Sequence, residues 1–595
     1  MIRFAAIVAC AMACHAPPAA DVDDLVGMWS ARGGFDVGAS GELVIARTGS
    51  GWHATIGGRA ADGPGLELAF DRDRARGALG SDGAAIDGFW QRRAVTDDPR
   101  YPIGATQGYA TPIHLARAGD GTWRGAVTPL ADPFRIFVRF LRAPDGTLVA
   151  AIRDPEQNEH APALQLTVLR QGNALELVGK SGVLVATIDH GRIALAWPEL
   201  GRTLEFTRGG DREFFPRPPG TAPYRYRTPS ELGDGWPVAA ASSLGVDEAA
   251  LARMVQSIIA ADPAAAKRVY PVHSIAIAYR GKLILDEYFH GFTAEQPHDM
   301  RSASKTFASV LLGAAMLRGA PISADTKVYD VLAPLGPFAN PDPRKAAITV
   351  GQLLAHSAGF ACDDNADDSP GNEDRMESQR AQPDWRKFTL DLPMAFAPGT
   401  HYAYCSANIN LAGAAIALAT HAWLPQLFED TVARPLQFGA YHWNVMPNGE
   451  GYAGGGVFVR TRDFLKLGQA YLDGGEWNHH RIVPASWVTD SISPHMRVSP
   501  ETTGRYGEAF RDVYGDGYDA YAWHLTDVKA GDRAFHAYFA NGNGGQLLLV
   551  VPELDLAVMA TAGNYNDGMW IHIRDALIGA QIIPAILASR ASTHP

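Results

Sequence analysis

The sequence predicts a multidomain chain: an all-β, barrel-like N-terminal domain, then an α/β (α+β) domain with an antiparallel sheet flanked by helices and a helical subdomain. Three observations predict it. From Asp21 to about Arg208, short strands and turn signals follow one another with no helical period. A stretch rich in Pro and Gly then runs to about Pro237. Beyond it the order is helix, hairpin, helices and again strands, which suits an antiparallel sheet covered by helices. At 595 residues the chain is also too long for one core, since single cores stop growing near ~300 residues. The expected divisions are a signal over 1–20, a β domain over 21–208, a linker over 209–237 and a second domain over 238–595.

Met1-Ile2-Arg3 and the apolar run Phe4 to Ala13 read as the n- and h-regions of an export signal. Pro17 and Pro18 break a helix there. The protein is therefore expected to be exported, periplasmic or secreted. Cys10 and Cys14 sit where a lipid-acceptor cysteine stands, so membrane anchoring through an N-terminal lipidated Cys stands open beside plain cleavage before Asp21. No later stretch reads as long and apolar enough to span a bilayer. On export, Cys362 and Cys405 enter an oxidising compartment, where one disulfide and two separate buried thiols are both open.

In the β domain, Gly27-Met28-Trp29, Gly88-Phe89-Trp90 and Gly121-Thr122-Trp123 repeat one small pattern. Asp120-Gly121 and Asp145-Gly146 are hairpin-turn pairs. Strands such as Phe134 to Leu141 and Leu148 to Ile152 follow at regular spacing. A closed or nearly closed antiparallel barrel removes unpaired edges, either holding a ligand or filled and acting as a spacer or lid. After the linker, Asp247 caps a helix whose Leu251, Met254, Val255 and Ile258 fall at i, i+3, i+4 and i+7. His273 to Tyr279 and Lys282 to Tyr288 form a hairpin around Arg280-Gly281. Strands Gln546 to Val551 and Leu556 to Thr561 follow late in the chain, and a last helix from about Met569 to Ile583 lies back on the sheet.

With 47% hydrophobic residues, 19% charged residues and 13 Trp, the chain has ample apolar surface to bury and is expected to be mostly folded. A formal charge of −12 with no run of Lys and Arg excludes a nucleic-acid partner.

Ser302-Ala303-Ser304-Lys305 directly precedes an apolar helical stretch with Phe307, Leu311 and Ala315 on one face and Gly319 as a stop. Residues at i and i+3 share a face, so Lys305 Nζ reaches the Ser302 hydroxyl, and a neutral amine there accepts its proton. The helix start also turns backbone N–H groups towards a developing oxyanion.

Met300 to Phe307, followed by Leu312-Gly313-Ala314-Ala315, resembles the nucleophile region of the serine β-lactamase and penicillin-binding-protein superfamily. Ile348 to Phe360, with Leu353-Leu354-Ala355-His356, resembles a further segment of its class C β-lactamase, carboxylesterase and nylon-oligomer-hydrolase branch. His356 invites reading as the base of a Ser-His-Asp triad, but the resemblance implies a scaffold role. Tyr404-Cys405-Ser406 fits the family's second motif, which implies that Tyr404 takes and returns the Ser302 proton and that Ser406 binds substrate. Tyr402 is the rival, and the spacing to Gly413 selects Tyr404. No Lys-Thr-Gly occurs. His536 to Gln546 occupies its place, and the backbone N–H of Ala540 or Asn541 is expected as the second oxyanion donor beside that of Ser302, worth ~3 kcal/mol. The missing Lys puts β-lactam turnover and peptidoglycan-stem recognition in doubt. Gly454-Gly455-Gly456, Arg460 to Gly468 and Ile482 to Trp487 read as scaffold. The resemblance spans about Leu244 to Ile583.

Asp363, Asp364, Asp367, Asp368, Glu373 and Asp374 crowd one loop whose spacing matches no EF-hand, so a solvated acidic loop is expected. His479 and His480 adjoin on a hairpin loop with no companion metal ligands. The implied activity is a serine hydrolase acting on small-molecule esters, or amides, through a Ser302 acyl-enzyme with no cofactor and no metal. The alternative is a non-hydrolytic penicillin-binding-like module that recognises cell-wall peptide; joint retention of Ser302, Lys305 and Tyr404 argues against it.

Overall fold

The structure, a computed structural model, describes residues 24–591 apart from 35–38, 72, 93–107, 131–132, 155–157, 160–163, 180–181, 198–201, 266–268 and 380. The expected signal, with Cys10 and Cys14, lies outside the described residues.

Strand Gly27–Gly34 pairs with Pro133–Arg142 on one side and with Arg202–Arg208 on the other, and so closes an eight-stranded antiparallel barrel. Trp29, Phe140, Leu175, Leu195 and Phe206 fill its interior, the way small barrels are packed. The strands from Gly41–Thr48 to Trp123–Val127 are inserted after the first barrel strand and wrap a separate core of Leu43, Ile45, Leu68, Phe70, Trp90 and Leu115. The one barrel-like unit expected over 21–208 is thus a barrel plus an inserted β unit. The glycines of both expected turn pairs take positive φ, 82° at Gly121 and 85° at Gly146.

The inserted unit does not stop at its own edge. Its strand Gly108–Arg117 pairs with Tyr441–Val445, Ala110 opposite Trp443. The sheet continues through Phe458–Val459 to His298–Asp299, so one 11-stranded sheet crosses into the C-terminal domain and ends just before Ser302. The segment expected as a linker is a strap. Asp234 accepts from Arg462 Nε and Nη2 at 2.7 and 2.9 Å, and Trp236 Nε1 donates to the Arg462 carbonyl at 2.9 Å. Arg217 and Tyr224 both donate to Glu287.

The second sheet of the C-terminal domain runs Lys282–Tyr288, Val272–Tyr279, Leu556–Ala562, Gln546–Val551, Arg533–Gly542, His524–Ala530, Gly517–Asp519, Met496–Val498. On one face lies helix Glu248–Ile259, capped by Asp247 accepting from the Ala250 N–H. Its Leu251, Met254, Val255 and Ile258 are all buried, each worth about 1.5–3 kcal/mol. The chain from Met569 joins it, running through the π-helical stretch Ile573–Ile582 into Ile583–Ala591. By length and composition Met569–Ala588 is apolar enough to cross a membrane, which corrects the expectation that no later stretch is. Here its Ile573, Leu577, Ile578, Ile582 and Ile586 pack against the sheet. The other face carries helices Thr306–Leu317, Ser406–Thr420 and Thr461–Leu472 within the largest core. His479 and His480 lie on the expected hairpin.

Cys362 and Cys405 form a disulfide across a sequence separation of 43, with Cα atoms 5.7 Å apart. Where the barrel meets the C-terminal domain, three imidazoles are buried. Arg153 Nη2 reaches His273 Nε2 at 3.3 Å, His273 Nδ1 lies 3.0 Å from His298 Nε2, and His298 Nδ1 donates to the Asp299 carbonyl at 3.0 Å. His273 and His298 then each donate once and accept once along this chain, which only neutral imidazole does. His290 Nδ1 donates to the Phe214 carbonyl at 2.9 Å. Burial, first, pushes His273 and His290 well below the usual histidine range.

Two outcomes follow for stability. Titration of the unfolded, unreduced protein finds neither Cys362 nor Cys405 reactive, and Cys362→Ser/Cys405→Ser loses about 4 kcal/mol in denaturant unfolding, as closing a loop of that length implies. An imidazole held neutral contributes stability that is full above its unfolded pKa and is lost as pH falls, about 1.4 kcal/mol by pH ~5.5. Thermal unfolding between pH ~7.5 and ~5.5 therefore drops less in His290→Asn, which keeps a donor for Phe214 but cannot charge, than in the natural protein.

Candidate active site

Ser302 lies in a 3₁₀ turn, Arg301–Lys305, that feeds helix Thr306–Leu317. In such a turn i and i+3 eclipse, and Lys305 Nζ lies 2.8 Å from Ser302 Oγ. The entry is sharp: Arg301 takes φ 47°, a region that costs a non-glycine residue about 1 kcal/mol or more. Its N–H is caught by Asp299 Oδ1 at 2.8 Å. Its carbonyl accepts from the Gly456 N–H at 3.1 Å and from Ser304 Oγ at 2.7 Å. Ser304 Oγ in turn accepts from the Val457 N–H at 3.2 Å. The Gly454-Gly455-Gly456 stretch is thus laced to the nucleophile turn, and a Cβ on Gly455 would come 3.7 Å from Lys305 Nζ.

The structure places Tyr404, not Tyr402, at the nucleophile. Lys305 Nζ lies 5.0 Å from the Tyr404 ring centre, and the Ser302 hydroxyl is near enough to act on the phenol. Tyr402 is fully buried and packs on Phe510. Burial, helped by the carboxylates of Asp364, Glu373 and Asp519, drives the Tyr404 pKa well above the usual phenol value, against the opposing pull of the Ser302 hydroxyl. Burial thus favours the neutral phenol over the phenolate in the resting site. His356, at φ 52°, is buried behind it with ring centres 4.7 Å apart. Its Nδ1 accepts from the Cys405 N–H at 3.1 Å, and its carbonyl from the Ala403 N–H at 2.9 Å. Burial pushes the imidazole down to about 3, so His356 braces Tyr404 as a neutral ring.

Ser406 is completely buried and gives both its N–H and its hydroxyl to Asp364 Oδ2, each at 2.7 Å. That corrects the expectation of a hydroxyl presented to substrate. Ala540 and Asn541 lie near the end of strand Arg533–Gly542, whose pairing with His524–Ala530 stops at Phe539. Beyond that residue the edge facing the missing neighbour is unladdered. Gly542 packs against the turn that carries Ser302: a Cβ there would fall 2.3 Å from the Met300 carbonyl and 3.1 Å from the Ala303 nitrogen. Asn541 Nδ2 donates to Tyr514 OH at 2.6 Å, while its buried Oδ1 meets no donor among the described residues.

Over Tyr404 lies helix Glu508–Tyr514, with the Phe510 ring stacked 5.4 Å from Tyr404 and 3.9 Å from Tyr514. Beside it a cavity of about 310 Å³ is lined by Val498, Phe510, Tyr514, Asp519, His524 and Thr526, among others. Its His524 and Asp519 pair at 2.8 Å. Among the described residues no group of three or more His, Cys, Asp or Glu is placed to hold a metal ion. Sequence reasoning missed Gly542, the Phe510–Tyr514 cover and the inward-turned Asp364. For Gly542 the signal was the Asn-Gly-Asn-Gly-Gly run, whose first glycine permits that contact.

The Beta-lactamase family model matches residues 251–576, more than half of the chain. No curated protein sequence matches. Solved structures similar to this chain include a family VIII carboxylesterase, 17% identical, covering 53% of this chain and 92% of its own, with a TM-score of 0.41. A penicillin-binding protein homolog from Caulobacter crescentus is 14% identical over 57% of this chain and 97% of its own, with a TM-score of 0.43. Simvastatin synthase from Aspergillus terreus is 16% identical over 53% and 93%, with a TM-score of 0.41. With its serine, lysine and tyrosine assembled inside the matched span, the chain belongs to the Beta-lactamase family.

Proposed function

We propose that the protein is an exported serine hydrolase that cleaves ester bonds, or amide bonds as a second class, in a small-molecule substrate through a Ser302 acyl-enzyme. The observation that carries this reading is the 2.8 Å contact of Lys305 Nζ with Ser302 Oγ, with the Tyr404 ring centre 5.0 Å from the same Lys305 Nζ. Lys305 and Tyr404 handle the protons as a pair, Lys305 as the base and Tyr404 as its relay to the leaving group. As Ser302 Oγ attacks the carbonyl carbon, its proton passes to Lys305. The carbonyl oxygen becomes an oxyanion facing the Ser302 N–H and the free edge of strand Arg533–Gly542. Tyr404, a neutral phenol at rest, protonates the leaving alkoxide or amine and recovers a proton through Lys305. Water then attacks the acyl-enzyme by the same route in reverse, which regenerates Ser302. No cofactor enters these steps. Export is supported by the Cys362–Cys405 disulfide, a bond kept in oxidising compartments.

Turnover of p-nitrophenyl acetate and butyrate tests the assignment. Ser302→Ala loses roughly 10⁴-fold or more in kcat, and Tyr404→Phe loses roughly 10²–10⁴-fold while remaining folded. Retention of turnover in Ser302→Ala contradicts the reading. Gly542→Val pushes the strand off the nucleophile turn and costs about 10²-fold in kcat, with a smaller change in KM; a loss confined to KM contradicts an oxyanion role for this edge.

A further inference from the structure

The acidic loop is solvated only in part: Asp367 and Asp368 are exposed, as its composition suggests, while others are not. Asp363 is buried and accepts from the N–H groups of Gly507 and Asn365. Asp364 turns towards the start of helix Ser406–Thr420. Its N–H donates to the Tyr404 carbonyl at 2.9 Å, its Oδ2 takes the two bonds from Ser406, and its Oδ1 accepts from the Glu373 N–H at 3.0 Å. Glu373 Oε1 accepts from Tyr452 OH at 2.7 Å. The disulfide clamps the same place, since Cys362 lies two residues before Asp364 and Cys405 stands between Tyr404 and Ser406. A carboxylate is thereby tied to the segment carrying Tyr404 by hydrogen bonds and a covalent bridge. The ionisable groups that act on it or feel its charge are Glu373, Lys305, Tyr404 and Tyr452.

We propose that Asp364 is a positioning residue for the Ser302 site: as a carboxylate it orders Tyr404–Ser406 through Ser406 and sets the field at Lys305, and turnover requires that charged form. This rests on the serine-hydrolase reading above. A carboxylate offers both Ser406 donors and the Glu373 N–H an acceptor; once protonated it gives up a lone pair and its charge. Burial, and next the neighbouring Glu373, raise its pKa to about 7, with Lys305 opposing. Activity is therefore present above that pH and lost as pH falls through it.

The test is kcat/KM for p-nitrophenyl acetate from pH ~5.5 to ~9, with thermal unfolding alongside, for the natural protein, Asp364→Asn, Ser406→Ala and Ser302→Ala. The natural protein should show an acid limb with its midpoint near 7. Asp364→Asn should shift that limb by about one pH unit or abolish it, and lose about ten- to a hundredfold at pH ~8, while unfolding within a few degrees of the natural protein. Ser406→Ala, which removes a donor to the charged form, should move the limb to higher pH. An Asp364→Asn variant with the natural acid limb overturns the proposal whatever its rate, because a purely structural role lowers rate without moving the limb. If that variant does not fold, an unmoved limb in Ser406→Ala overturns it instead. Turnover that survives Ser302→Ala removes the hydrolase reading and this inference with it; turnover that needs Ser302 but ignores Asp364 overturns this inference alone.

Discussion

The geometry of the site depends on how tightly the turn Arg301–Lys305 is held. Asp299 fixes its entry, the Gly454–Val457 stretch laces its first carbonyl, and Gly542 presses on it from the strand side. One of these contacts exists only because glycine lacks a Cβ: a side chain at Gly542 would overlap the Met300 carbonyl, while one at Gly455, at φ 144°, would press to 3.3 Å on the Arg301 carbonyl. The left-handed Arg301 is the cost of this arrangement, and the hydrogen bonds to its N–H and carbonyl offset it. What results is a serine hydroxyl held 2.8 Å from its lysine partner by the fold itself.

The N-terminal region is part of that framework. The inserted β unit extends one sheet through Tyr441–Val445 and Phe458–Val459 to His298–Asp299, the residues that lead into the nucleophile turn. The barrel reaches the same strand from another side, through Arg153, His273 and His298 to the Asp299 carbonyl. A strand pair, Asn158–Glu159 with Asn564–Tyr565, adds a further tie, and Tyr565 OH accepts from Arg301 Nε at 3.4 Å. Both units therefore brace the backbone behind Ser302, which a spacer domain would not do.

What the sequence made legible was local. Ser302 and Lys305 are three residues apart, the Asp247 cap and its four apolar positions lie within one helix, and the Arg280-Gly281 hairpin is set by adjacent residues. The closed barrel could be inferred from strand spacing, but its division into two units could not, because the decisive pairing joins Ala110 to Trp443 across the whole domain boundary. Asp364 read as solvated for the same reason: its acceptors meet Ser406, 42 residues away, and composition alone cannot tell an acid turned inward from one turned out. The close packing of Gly542 on Met300 and Ala303 joins residues far apart in sequence, which no local pattern shows. The apolar Met569–Ala588 segment was misjudged as too short because a π-helical stretch joins what read as one modest helix.

The central claim is that Ser302 is the nucleophile, and the most direct measurement is where a mechanism-based label attaches. The folded protein is treated with a fluorophosphonate, digested, and mapped by mass spectrometry. The account predicts one adduct per chain, on the peptide containing Ser302, and none when the protein is first unfolded. An adduct on another residue, or no adduct on protein shown to be folded, would contradict it.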